Sequence, residues 1–231
     1  MPAAGRPLLL VANHSSWLDI TVLAAALPVS FVAKSEVAGW PGIGLLAKLS
    51  RTIFVERARR TATRRTTREM AERLKDGEPI VLFPEGTSSD HNRILPFRSA
   101  LIGAAHEALS GEADMRVFVQ PVSIAYPRRH GLPVLRSERP QIAWYGGMTL
   151  PAHLWNMLKT GGPEVMISFG EPIPVTAASD RKKVARTAET EVRAMTQRAL
   201  RTQVAFVKSA AAEPDLGPGP ASAILLEAQT G

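Results

Sequence analysis

The chain has 231 residues, enough for one domain or at most two small ones around a substantial core. It is 45% apolar and 21% charged and has no cysteine, which excludes collagen-like, coiled-coil and wholly disordered chains, disulfide scaffolds, thiolate metal sites and a cysteine nucleophile. Lys and Arg number 28 against 21 acids, a formal net charge of +7, so the surface favours anions such as nucleic acid, lipid head groups or phosphorylated ligands.

In chain order, Leu8 to Val11 is a short apolar run that reads as a buried strand delivering Asn13-His14-Ser15-Ser16 to the start of a helix over Trp17 to Ala26. A strand is expected at Phe31 to Ala33, a helix at Pro41 to Leu49 and a strand at Thr52 to Val55, with Pro41 suited to a first helical turn. Thr61 to Lys75 reads as a helix ending at Asp76-Gly77, and Pro79 to Phe83 as a strongly apolar strand. Beyond it lie a helix at Ala100 to Leu109 and strands at Arg116 to Ala125, Gln141 to Tyr145 and Glu164 to Phe169. Ala178 to Ser209 is a long basic helix or a broken pair. Alternating strands and helices imply an α/β fold, a single domain over residues 1–209 with a mixed, mostly parallel sheet flanked by helices. Residues 210–231, rich in Ala, Pro and Gly, read as a disordered tail whose one sticky spot is Ile224-Leu225-Leu226.

No spanning segment is evident, because the most apolar stretch, Ile20 to Ala33, has 14 residues and is broken by Pro28, whereas a spanning helix needs about 20. Met1 to Pro7 lacks the pattern of a secretory signal, so an intracellular protein is expected.

Three constellations carry chemistry. His14 and Asp19 are five apart at a strand-to-helix corner. On a continuous helix they would face different ways, but with a cap at Ser15 or Ser16 the imidazole can fold back over the first turn, where Asp19 can orient it as a general base. Ser16-x-x-Asp19 also fits a capping box, in which Asp19 merely satisfies the helix end. Phe83-Pro84-Glu85-Gly86-Thr87-Ser88-Ser89-Asp90 lies where a strand ends, which is where α/β folds gather binding groups, and it offers a carboxylate, a permissive backbone and hydroxyls; a capped turn is the plainer alternative. Arg51 to Arg68 holds seven arginines and one acid, Glu56, a net +6 suited to phosphate or an anionic membrane, or simply a solvated helix face. Gly42-x-Gly44-x-x-Ala47 is a weak dinucleotide match without a preceding strand, and His91, His106, His130 and His153 lack metal-ligand spacing.

Taken together, His14-x4-Asp19, Thr52 to Arg57, Phe83-Pro84-Glu85-Gly86-Thr87 and Val119-Gln120-Pro121-Val122 resemble the four ordered blocks of the glycerolipid acyltransferase superfamily, over roughly the first 125 residues. The resemblance implies a glycerol-3-phosphate acyltransferase-like fold and transfer of an acyl chain from acyl-CoA or acyl carrier protein to a lysolipid hydroxyl, with no covalent intermediate, metal or further cofactor. It makes His14 the general base and Asp19 its partner, and assigns the acceptor's head to Arg57, Glu85 and Gly86. Thr87, Ser88 and Arg93 join them as candidate substrate-binding residues. The first acceptor is 1-acylglycerol-3-phosphate. The family's third block commonly continues Gly-Thr-Arg-Ser, however, and here Ser88 replaces the phosphate-linked arginine. With the run Ser89 to Leu101, Trp144-Tyr145 and His153-Leu154-Trp155, this is similar to a bacterial branch that includes lyso-ornithine lipid acyltransferases, so both acceptors stay open. Only 13 residues precede His14, where the family usually has a membrane-associated segment. Either such a segment lies upstream of this chain or the protein meets the cytoplasmic face of the membrane peripherally.

Two other classes compete. A nucleic-acid module built on the arginine run lacks the aromatics that single-strand binders interleave, and none lies between Arg57 and Arg68; no nucleic-acid partner is expected. A hydrolase using His14 and Asp19 on water lacks a serine elbow.

Overall fold

The structure, a computed structural model, describes residues 7–40, 43–49, 51–55, 60–109, 117–201 and 224–228. Its elements follow the chain as β1 (Leu8–Ala12), α1 (Leu18–Ala26), β2 (Ser30–Lys34), a 3-10 turn (Ser35–Gly39), α2 (Ile43–Leu49), β3 (Ile53–Val55), α3 (Arg60–Lys75), β4 (Ile80–Leu82) and α4 (Gly103–Ala108). They continue as β5 (Val117–Arg129), β6 (Leu132–Pro133), α5 (Arg139–Ile142), α6 (Leu150–Thr160), β7 (Pro163–Phe169), β8 (Ile173–Val175), α7 (Arg181–Arg201) and β9 (Ile224–Ala228).

Among the described residues the strands form one sheet in the order β3-β2-β4-β1-β5-β7-β9, with β6 and β8 also paired to β5. β3, β2, β4, β1 and β5 run parallel, while β6, β7 and β8 are antiparallel to β5. β9, which holds Ile224-Leu225-Leu226, runs parallel to β7. The fold is the mixed, mostly parallel α/β sheet expected.

The central strands are apolar throughout because both sheet faces are covered. Leu9 and Val11 of β1, with Ile80 and Leu82 of β4, point into a core closed by Met70 and Leu74 of α3 and Val184, Ala188 and Val192 of α7. Leu8, Leu10 and Ala12 point the other way, onto Leu23 of α1, Phe31 and Ile142. A fully buried Leu such as Leu9, Leu10 or Leu23 contributes about 1.5–3 kcal/mol.

Residues 224–228, within the tail expected to be disordered, instead pair with β7 as β9. Two further stretches differ from expectation. Gln141 to Tyr145 is not a strand: Pro140 enters a short helix, α5, in the first turn, where its missing N–H costs nothing. From Ala143 the backbone is extended, and Trp144 donates its N–H to Ser15 O at 2.8 Å; the place beside β5 belongs to β7. Residues 150–160, without a predicted element, form α6, signalled by Pro151 in its first turn after Thr149. Of the long basic helix, α7 accounts for Arg181–Arg201, and residues 202–209 lie outside the described residues.

Candidate active site

β1 and β4 are adjacent and parallel, so their carboxyl ends deliver His14 and Phe83-Pro84-Glu85-Gly86 to the same edge of the sheet. Parallel β5 adds Tyr126 there. Asn13 extends the β1–β5 ladder by one step: its Nδ2 donates to Ile124 O and its Oδ1 accepts the Ile124 N–H, both at 2.8 Å.

Past Asn13 the chain turns into α1, which Trp17 precedes without a side-chain cap. Ser16 Oγ is buried and makes no hydrogen bond among the described residues, so neither serine hydroxyl caps the helix. Asp19 does that work from inside. Its Oδ2 accepts the N–H groups of Ser15 at 2.7 Å and Ser16 at 2.9 Å, and also His14 Nδ1–H at 2.9 Å; Oδ1 accepts the Tyr126 hydroxyl at 2.6 Å. One carboxylate therefore meets both the N–H groups at the helix start and the His14 imidazole, while the serine half of the expected capping box is absent. Burial pushes this carboxyl up, but the hydrogen bond and charge of His14, with the Tyr126 and Ser15 donors, outweigh it and leave it below the ordinary value.

An ionised Asp19 can only accept, so His14 Nδ1 carries the proton and Nε2 presents a lone pair. The ring lies flat on Phe83 at 4.2 Å between centroids and keeps 17% side-chain exposure, while Asp19 has none. The arrangement suits a base that takes a proton from an incoming group at Nε2.

Glu85 sits beneath the corner, 2% exposed. Its Oε1 accepts the His14 N–H and its Oε2 the Leu95 N–H, both at 2.8 Å, so one side chain fastens the histidine backbone to the loop after β4. Burial pushes its pKa up to about 7 against these two donors, and the Asp19 charge adds to the rise. The Ser89 N–H donates to His14 O at 2.9 Å and completes the clamp. Gly86 has φ +77°, and a Cβ there would meet the Arg98 guanidinium carbon at 3.2 Å. Thr87 and Arg93 are exposed and Ser88 half-buried on this loop. Arg57 lies outside the described residues.

Residues not singled out for the site complete it. His91 is buried at φ +63°. Its Nε2 accepts the Tyr126 N–H at 3.2 Å, which leaves Nδ1–H to donate to Ser15 Oγ at 3.0 Å. Burial lowers its pKa to about 4, so it is a neutral strut. Trp17 Nε1–H donates to His153 Nδ1 of α6 at 3.0 Å. Among the described residues, no group of three or more His, Asp and Glu converges as metal ligands would.

Residues 2–125 match the family model described as Acyltransferase. The chain belongs to the acyltransferase family. It is 54% identical over 196 residues to the lyso-ornithine lipid O-acyltransferase of Brucella abortus (strain 2308), covering 85% of this chain and 73% of the relative. It is 30% identical over 196 residues to the 1-acyl-sn-glycerol-3-phosphate acyltransferase of Neisseria gonorrhoeae, covering 84% and 72%. The crystal structure of the 1-acyl-sn-glycerophosphate acyltransferase PlsC from Thermotoga maritima superposes with a TM-score of 0.62 at 25% identity, over 88% of this chain and 70% of that one. This acyltransferase is thus an O-acyltransferase acting on lysolipids, as the resemblance of its four blocks to the superfamily implied.

Proposed function

We propose that this acyltransferase moves an acyl chain from acyl-CoA or acyl carrier protein to the hydroxyl of a lyso-ornithine lipid, with His14 as general base and Asp19 as its orienting partner. The His14–Asp19 pair carries the chemistry: Nδ1–H is tied to a buried carboxylate and Nε2 is free to act. His14 Nε2 takes the proton of the acceptor hydroxyl as its oxygen bonds to the thioester carbonyl carbon. The tetrahedral oxyanion then collapses, the C–S bond breaks, and the imidazolium returns the proton to the leaving thiolate. Asp19 steadies the imidazolium in between, with Tyr126 and the Ser15 and Ser16 N–H groups holding its charge in place.

The acceptor reading is supported by the wide gap between 54% and 30% identity to relatives named for the two acceptors, and by Ser88 at the place of the family's phosphate-linked arginine. Glu85 and Gly86 shape the loop on which the head would sit, and Thr87, Ser88 and Arg93 on that loop are its candidate contacts, with Arg57 and Arg93 the cations for its acidic group. The 1-acylglycerol-3-phosphate reading is the second, favoured by the Neisseria relative and the Thermotoga structure. Both acceptors live in a bilayer, so we place the enzyme peripherally at the cytoplasmic face of the membrane, with no cofactor beyond the acyl donor. Purified protein offered lyso-ornithine lipid and 1-acylglycerol-3-phosphate, each with acyl-CoA and with acyl carrier protein, is expected to release thiol and form diacyl product fastest with the first acceptor. Faster product from 1-acylglycerol-3-phosphate would reverse the assignment.

A further inference from the structure

We propose that the outer face of α6, with the β5–β6 tip, is the surface by which this acyltransferase docks on an anionic lipid bilayer. The proposal rests on the peripheral-membrane reading above and names the part of the molecule responsible. Large exposed apolar side chains are ordinary when scattered and informative when they gather. Among the described residues they are Leu45, Leu132, Leu135, Met148, Leu154, Trp155 and Leu158, and all but Leu45 fall between residues 132 and 158. On α6, Leu154, Trp155 and Leu158 form one stripe, 40%, 61% and 68% exposed, while His153 and Met157 face inward. Leu132 lies on the tip, which is fastened to the end of α6 where His130 Nε2 donates to Thr160 O at 2.7 Å and Arg129 Nη2 to Thr160 Oγ1 at 2.6 Å.

Charge selects the occupant. Residues 127–160 contain five cations against the single acid Glu138, and of these Arg136 and Lys159 are exposed, close in the chain to the exposed Leu135, Trp155 and Leu158. Lys159 Nζ lies 5.4 Å from the centre of the Trp155 ring, the pairing of an amphipathic aromatic with a snorkelling cation that suits the head-group layer. A second copy would set the same cations against themselves, whereas anionic head groups neutralise them while acyl chains receive the stripe. No described helix is long and apolar enough to cross a membrane, so the contact is interfacial. From the inner side of α6, His153 holds Trp17, which stands between His14 and Asp19 in the chain. Docking through the outer side would therefore tie the catalytic corner to the lipid surface through α6.

The test uses the full chain and its Trp155→Ala/Leu158→Ser double variant, whose changes are exposed and leave His153 and Met157 intact. Wild type is expected to co-sediment with vesicles of phosphatidylcholine mixed with phosphatidylglycerol and to bind pure phosphatidylcholine more weakly. The double variant should bind the mixed vesicles at least about tenfold less. It should lose turnover on vesicle-embedded lysolipid but keep it on a monomeric short-chain lysolipid. Vesicle binding unchanged in the double variant, or lost only when Arg64 and Arg65 of α3 are replaced by Ala, would overturn the proposal. So would wild-type self-association that the double variant abolishes. No wild-type turnover on the monomeric acceptor would count against the reaction, and vesicle binding would still decide the docking face.

Discussion

The hydroxyl of Tyr126 donates to Asp19 Oδ1 at 2.6 Å across 107 residues of sequence, from the long strand β5 to the first turn of α1. Both groups are buried, and Tyr126 resists ionisation because burial and the Asp19 charge hold its pKa well above the ordinary value. The bond therefore always has its donor. Tyr126→Phe keeps the ring against His91 and removes only this donor, at a cost of about 1.5–3 kcal/mol for a hydrogen bond to a charged group. The Asp19 pKa should rise. Its stabilising charge, present above the unfolded-state value and lost as pH falls through the folded one, should disappear at a higher pH. Acid unfolding and the acid limb of the activity profile should both move upward. An unchanged acid limb would mean that Tyr126 serves packing alone.

His14→Ala should lower turnover by about 10²–10⁴, the usual worth of a general base. Asp19→Asn should lose as much activity and stability besides, because an amide nitrogen would face donors now satisfied by a carboxylate: Ser15 N–H, Ser16 N–H, His14 Nδ1–H and the Tyr126 hydroxyl. Thiol release and urea unfolding separate the two variants. His14→Ala takes one partner from the buried Asp19 carboxylate but keeps the Ser15, Ser16 and Tyr126 donors, so it should lose less stability than Asp19→Asn, and a normal rate of thiol release from it would refute the general-base role.

What could be read along the chain depended on how far apart the partners lie. His14 and Asp19 are five residues apart, so a strand-to-helix corner could be inferred and with it their meeting. The partners that hold that corner are remote: Asn13 clamps Ile124, His91 bonds Ser15, and Trp17 reaches His153. A single sequence carries no signal for these pairs; the first two exist because β1, β4 and β5 are neighbours in the sheet, and the third because α6 packs its His153 side toward the start of α1. Glu85 was visible as a lone carboxylate after an apolar strand, but its grip on the His14 and Leu95 N–H groups was not. The apolar strand signal also misled at Gln141 to Tyr145, where Ile142 and Ala143 are buried beneath the sheet without joining it.

Gly86 is required by its backbone. At φ +77° an L side chain costs about 1–2 kcal/mol, and its Cβ would press on the Arg98 guanidinium at 3.2 Å. Gly86→Ala should lower the Tm by roughly 2–8 °C, whereas Gly147→Ala, in open space without a positive φ, should leave it within about 2 °C. Thermal unfolding of both variants makes the comparison. Equal melting of the two would show that the loop after β4 relaxes freely around position 86.

Glu85 and His91 flank the same corner and titrate in opposite senses. The Glu85 pKa is raised from 4.5 to about 7, so the folded state holds that proton more firmly; its stabilisation is complete below 4.5 and fades as pH rises towards 7. The His91 pKa is lowered from 6.5 to about 4, so its contribution is complete above 6.5 and fades as pH falls towards 4. Between 4.5 and 6.5 the two slopes, each up to about 1.4 kcal/mol per pH unit, oppose one another and largely cancel. Asp19, lowered from 3.8, titrates below this window. Glu85→Gln should expose the His91 slope, with stability rising with pH. His91→Gln, whose amide can still accept from Tyr126 N–H and donate to Ser15 Oγ, should expose the Glu85 slope, with stability falling as pH rises. Urea unfolding of the three proteins across this range reads both signs, and parallel curves for all three would show that neither burial sets the proton balance of the corner.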